Sequence, residues 1–107
     1  MNIAQDQWWE GAQDNAEAVI LDVRTPAEWN EGIIPGATNI DIYQGDAFMD
    51  ALEQLDKDKT YYVYCRSGAR SGNACNIMIQ MGFKNAYNLT GGIMGWNGPV
   101  VSPEEEK

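Results

Sequence analysis

The stretch Thr60-Tyr61-Tyr62-Val63-Tyr64-Cys65-Arg66-Ser67-Gly68-Ala69-Arg70-Ser71 decides how this chain is read. Thr60 to Tyr64 is rich in β-branched and aromatic residues, which fit the pleated surface of a central strand. From about Ala69 the apolar residues Ala74, Ile77, Met78 and Met81 recur at helical spacing, and Gly82 supplies a stop. A thiol therefore stands between the end of a strand and the start of a helix, on a glycine-bearing turn. Only three arginines occur in the chain, and two of them, Arg66 and Arg70, lie within the seven residues from Cys65 to Ser71. Positive charge, oriented backbone N–H groups and a helix N-terminus all favour a thiolate over a thiol. The segment reads as a cysteine nucleophile in an anion cradle.

Outward from this segment, strands and helices alternate. Gln5 to Ala12 is predicted helical, with Trp8 and Trp9 as bulky core or edge contacts. Ala18-Val19-Ile20-Leu21 is a continuous apolar run, as in a strand buried on both faces. It leads into Asp22-Val23-Arg24. Thr25-Pro26-Ala27-Glu28 is a capping box with proline at the first helical position. Pro35-Gly36 breaks the chain before Ala37-Thr38-Asn39-Ile40, a second predicted buried strand. Phe48, Ala51, Leu52 and Leu55 form one face of an amphipathic helix, and Asp56 to Lys59 is a charged turn. Ala86-Tyr87-Asn88-Leu89 is a last strand, after which Gly91-Gly92 opens a short helix containing Trp96. Trp29, Tyr87 and Trp96 are assigned to the core or to a pocket wall. The alternation implies an α/β fold with a largely parallel sheet. Sites in such sheets lie beyond the carboxyl ends of the strands, where Cys65 and Asp22-Val23-Arg24 both fall.

The 107 residues are expected to form a single domain, 1–107, with an acidic tail over about 102–107 that includes Glu104 to Glu106. A net charge of −9 argues against nucleic acid and anionic membrane surfaces as partners. No apolar run is long enough to span a bilayer. The first residues carry neither a basic region nor an apolar stretch, so a cytoplasmic location is the default expectation. The chain has no histidine. Ser-His-Asp and Cys-His chemistry are thereby excluded, as are the usual N/S metal sites. Two cysteines ten residues apart match neither a zinc framework nor a redox pair. No metal or cofactor is expected, and any nucleophile must be activated electrostatically.

Four segments together resemble a single-domain rhodanese, the thiosulfate sulfurtransferase-type family. They are Leu21-Asp22-Val23-Arg24-Thr25-Pro26-Ala27-Glu28-Trp29, Gly32-Ile33-Ile34-Pro35-Gly36-Ala37-Thr38-Asn39-Ile40, Tyr62 to Ser71, and Gly91-Gly92-Ile93-Met94-Gly95-Trp96. The resemblance implies a central, mostly parallel five-stranded sheet flanked by helices on both faces. It also implies that Cys65 takes a sulfane sulfur from a small donor such as thiosulfate, holds it as a persulfide, and passes it to cyanide or a thiol. A protein donor or acceptor is an alternative partner, and a non-enzymatic interaction module is a further alternative. The family commonly has histidine at the position of Ile33, and its loss is read as removing a surface hydrogen-bonding group.

Cysteine-dependent phosphatases and arsenate reductases are the competing enzyme classes, since certain dual-specificity phosphatases share a similar fold. They separate cysteine from arginine by five residues; here Arg66, Ser67, Gly68 and Ala69 make four. The tighter loop suits one sulfur bound to Cys65 better than a tetrahedral phosphate. The backbone N–H groups from Arg66 to Ser71 are expected to point inward, with Gly68 supplying an unusual backbone angle. Arg66 is placed at the pocket rim. Arg70 either joins it or anchors the loop through an acid, with Asp22 the expected partner. Asp22 and Arg24 are read as supports of the loop. Cys75 lies on the apolar arc of its helix, opposite Asn73, Asn76 and Gln80, and reads as a buried inert thiol.

Overall fold

In a computed structural model describing residues 1–106, the chain runs β1 (Asn2–Ile3), α1 (Gln5–Asp14), β2 (Val19–Asp22), α2 (Pro26–Asn30), β3 (Ala37–Asn39), α3 (Asp46–Glu53), β4 (Thr60–Tyr64), α4 (Ala69–Gln80) and β5 (Asn85–Leu89). Short 3-10 turns cover Ile42–Gln44, Ile93–Gly95 and Pro103–Glu106. The five strands form one sheet in the order β1-β5-β4-β2-β3, and every neighbouring pair is parallel. Among the described residues no helix is long and apolar enough to cross a membrane.

Alternation along β4 divides the core between the two faces of the sheet. Tyr61, Val63 and the following Cys65 pack with Phe48 and Leu52 of α3 and with Ala74, Cys75 and Met78 of α4. Tyr62 and Tyr64 face the other way, toward Trp8 of α1, Ile34 and Leu89. Trp8 is fully buried and meets Tyr62 and Tyr64 edge-on, both at 5.9 Å between ring centroids. This is the favoured geometry for aromatic quadrupoles. The central position of β4, buried on both sides, is what its composition implies. It carries the thiol to the carboxyl edge of the sheet.

Three expectations need correction. The strand at Ala37–Asn39 is not buried: it lies at one edge of the sheet, and Thr38 is exposed. Trp96 follows the 3-10 turn Ile93–Gly95 instead of lying within it. Ile33 is fully buried, and pairs its backbone with Val101 through two 2.9 Å hydrogen bonds. No surface hydrogen-bonding group is therefore lost at this position. In the acidic tail Glu104 and Glu105 are exposed, and Pro103–Glu106 form a 3-10 turn. Lys107 lies outside the described residues.

Candidate active site

Cys65 follows the last residue of β4 and is fully buried, with its sulfur facing the start of α4. Gly68 makes the turn, at φ +101°, and caps α4. A Cβ there would lie 3.3 Å from both Gly91 N and Leu89 O, so the backbone angle disfavours a side chain and the space for one is tight. The Gly68 N–H donates to Cys65 Sγ at 3.1 Å, and the Ser71 hydroxyl lies 3.3 Å from the same atom.

The carbonyls of this loop are turned outward. Cys65 O accepts from Ile93 N–H at 2.9 Å and Arg66 O from Met94 N–H at 3.0 Å. The turn after β5 can come this close because Gly92 has φ +61° and lacks a side chain; a Cβ would stand 2.3 Å from Arg66 O. With the carbonyls tied to this turn, the N–H groups of Ser67, Gly68 and Ser71 face the sulfur. Burial by itself raises the Cys65 pKa, but the Ser71 hydroxyl and these N–H groups outweigh it and hold the thiol below its ordinary value. Among the described residues Cys75 has no such donors, and burial pushes it up to about 11.

The arginines take separate roles. Arg70 does not reach Asp22; its fork binds Glu28 at 2.7 and 2.8 Å, one nitrogen to each oxygen, and its guanidinium lies over the Tyr43 ring. Asp22 is already taken by Arg24, through three side-chain contacts of 2.7–3.0 Å, and by Tyr64 Oη at 2.7 Å. Arg24 reaches on to Gly32 O at 2.8 Å, and the Tyr64 oxygen accepts from Ile34 N–H at 3.2 Å. Both Asp22 and Arg24 are buried, and they tie the segment after β2 to β4 one residue before Cys65. Burial lowers the Arg24 pKa, but the Asp22 carboxylate together with Tyr64 more than compensates and the net shift is upward. Arg66 is exposed and makes no ion pair among the described residues.

The sequence model of the rhodanese-like domain matches residues 5–99. The chain belongs to the rhodanese-like family. It is 38% identical over 94 residues to a protein of Allochromatium vinosum named sulfurtransferase, covering 85% of each chain. It is 43% identical over 89 residues to a putative sulfurtransferase, YtwF, of Bacillus subtilis, covering 83% of this chain and 82% of that one. Among solved structures, a rhodanese-related protein from Thermoplasma volcanium aligns with a TM-score of 0.79 at 31% identity, over 94% of this chain and 96% of that one.

Three residues of this rhodanese-like site escape a reading of the sequence. Glu28 is visible as the acid of a capping box, and it does close that box with Thr25, but nothing local marks it as the ligand of Arg70. Gly92 belongs to a glycine pair read as opening a short helix, and nothing local marks its close approach to Arg66 O. Asn88, inside a predicted strand, is buried and hydrogen-bonded to the Ser71 hydroxyl. Its one signal is an amide in an otherwise apolar strand. A groove of about 640 Å³ between α1 and the Trp96–Gly98 segment contains no cysteine and lies apart from this site.

Proposed function

We propose that this rhodanese-like chain is a sulfurtransferase in which Cys65 carries the sulfur as a persulfide. The Cys65 thiolate attacks the outer sulfur of a donor such as thiosulfate; an S–S bond forms as the donor S–S bond breaks, and sulfite leaves with the electron pair. Cyanide or a thiolate then attacks the outer persulfide sulfur, and the Cys65 thiolate leaves. Neither displacement needs a general base, only a thiolate that is stable in both attack and departure. The observation that carries the reading is the set of N–H and O–H donors on a buried Cys65 sulfur, in a chain without histidine. The names of the relatives support the sulfurtransferase class.

Phosphoryl chemistry fits less well. Arg70, the residue that a phosphate would require, has its guanidinium fork engaged by Glu28. Cys65, the loop from Arg66 to Ser71 and the Asp22–Arg24 support are the residues we assign to the site. Arg66 draws the anionic donor against a net charge of −9. That same charge favours a second reading, a relay in which a basic protein delivers or receives the sulfur.

The test is intact mass after thiosulfate treatment. One added sulfur atom, removed by cyanide and absent in Cys65→Ser, is expected. Hydrolysis of an aryl phosphate by a protein that gains no sulfur would reverse the ranking. Slow thiosulfate turnover with efficient loading from a cysteine desulfurase selects the relay.

A further inference from the structure

The Ser71 hydroxyl has one proton and two acceptors facing it. Its oxygen lies 3.3 Å from Cys65 Sγ and is also hydrogen-bonded to Asn88 Oδ1. The orientation of the Asn88 amide follows from its other contacts. Its nitrogen donates to Gly68 O at 3.0 Å and to Asn2 Oδ1 at 2.9 Å, which leaves the oxygen toward Ser71. Ser71 is fully buried and Asn88 nearly so, and solvent is not at hand to serve the acceptor that is left out.

We propose that Asn88 is a positioning residue that acts through Ser71, competing with the Cys65 sulfur for the single hydroxyl proton. With Cys65 as the thiol, its S–H donates to Ser71 Oγ, Ser71 donates to Asn88, and every group is satisfied. With Cys65 as the thiolate, both the sulfur and Asn88 Oδ1 require the same proton. Asn88 therefore restrains ionisation that the loop N–H groups promote. On the reading of Cys65 as a sulfur carrier, the conflict ends when sulfur is bound. Sγ then becomes a neutral, weakly accepting divalent sulfur, and the Ser71 proton returns to Asn88. The device favours the loaded state over the bare thiolate.

Charged groups near Cys65 reach it by other routes. Arg70 of α4 is paired to Glu28 of α2, Tyr43 lies against Arg70, Arg66 is exposed in the loop, and Asp22 with Arg24 closes the end of β2. None of these side chains is hydrogen-bonded to Ser71 or Asn88. Their effect is constant across a double-mutant cycle at these two positions.

The cycle compares wild type, Asn88→Leu, Ser71→Ala and the double variant, each by a pH titration of the Cys65 ¹³Cβ resonance. This measurement needs neither a sulfur donor nor access to the buried thiol. Asn88→Leu also loosens Gly68, but that part of its effect is the same with or without Ser71. With Ser71 present, the change caused by Asn88→Leu is expected to be more negative by about one pKa unit, a tenfold gain in thiolate, than in the Ser71→Ala background. Asn88→Ala, which only removes atoms, provides the same cycle if Leu disturbs packing. Coupling that is absent or of opposite sign overturns the proposal. Coupling in a protein that takes up no sulfur leaves this inference standing and removes the proposed function instead.

Discussion

Replacing Glu28 by Gln removes the charge that holds Arg70 but keeps the size of the side chain. The paired guanidinium holds the Glu28 carboxyl at about 2, against an ordinary value of 4.5. That shift corresponds to about 3 kcal/mol at most. Both side chains are about one-fifth exposed, so water screens the pair and reduces its net worth to roughly 1–2 kcal/mol. Because the folded-state pKa is depressed, the contribution is fully present above 4.5 and is lost as pH falls through about 2. Urea unfolding followed by the fluorescence of the four tryptophans measures it. At about pH 7 Glu28→Gln should be less stable by roughly 1–2 kcal/mol, and at about pH 3 less than half of that difference should remain. A difference that is absent at neutral pH, or that does not shrink in acid, would refute the assignment of Glu28 as the anchor of Arg70.

Other perturbations address separate parts of the site. Arg66→Ala should raise KM for thiosulfate about fivefold with kcat nearly unchanged, because an exposed cation contributes mainly to capture; steady-state kinetics decide it, and an unchanged KM contradicts the role. Gly92→Ala places a Cβ against Arg66 O at a backbone angle that disfavours side chains. A loss of at least about 2 kcal/mol in chemical denaturation is expected, and a variant as stable as wild type would show that the turn after β5 does not bear on the loop. Cys75, 1% exposed and with its pKa pushed up to about 11, should resist alkylation in the folded protein at mildly alkaline pH. Peptide mass spectrometry that finds it modified without unfolding would count against a purely structural thiol.

Much of the site is legible in the chain because its signals are local. The strand-to-helix junction at Cys65, the left-handed turn at Gly68 and the capping box at Thr25 each depend on residues only a few positions apart. The polar partners are harder to assign because acids are plentiful: with 16 Asp and Glu in 107 residues, composition gives no way to choose the ligand of Arg70. Asp22 is at the right end of the sheet, but Arg24 lies two residues away and binds it first. Ile33 shows the same limit, since the backbone it pairs with, Val101, lies far along the chain.

The sequence by itself determined an alternating α/β chain, a thiol at the carboxyl end of its central strand, and the absence of histidine from the 107 residues. These follow from side-chain periodicity, from turn residues and from composition, none of which requires distant contacts. Only the tertiary structure decided which groups close around that thiol. Glu28 meets Arg70 across 42 residues, and Asn88 meets Ser71 across 17, because the sheet order places β5 and β2 on either side of β4. A buried polar group takes whichever partner the fold brings within about 3 Å, and that distance is a property of the packed sheet.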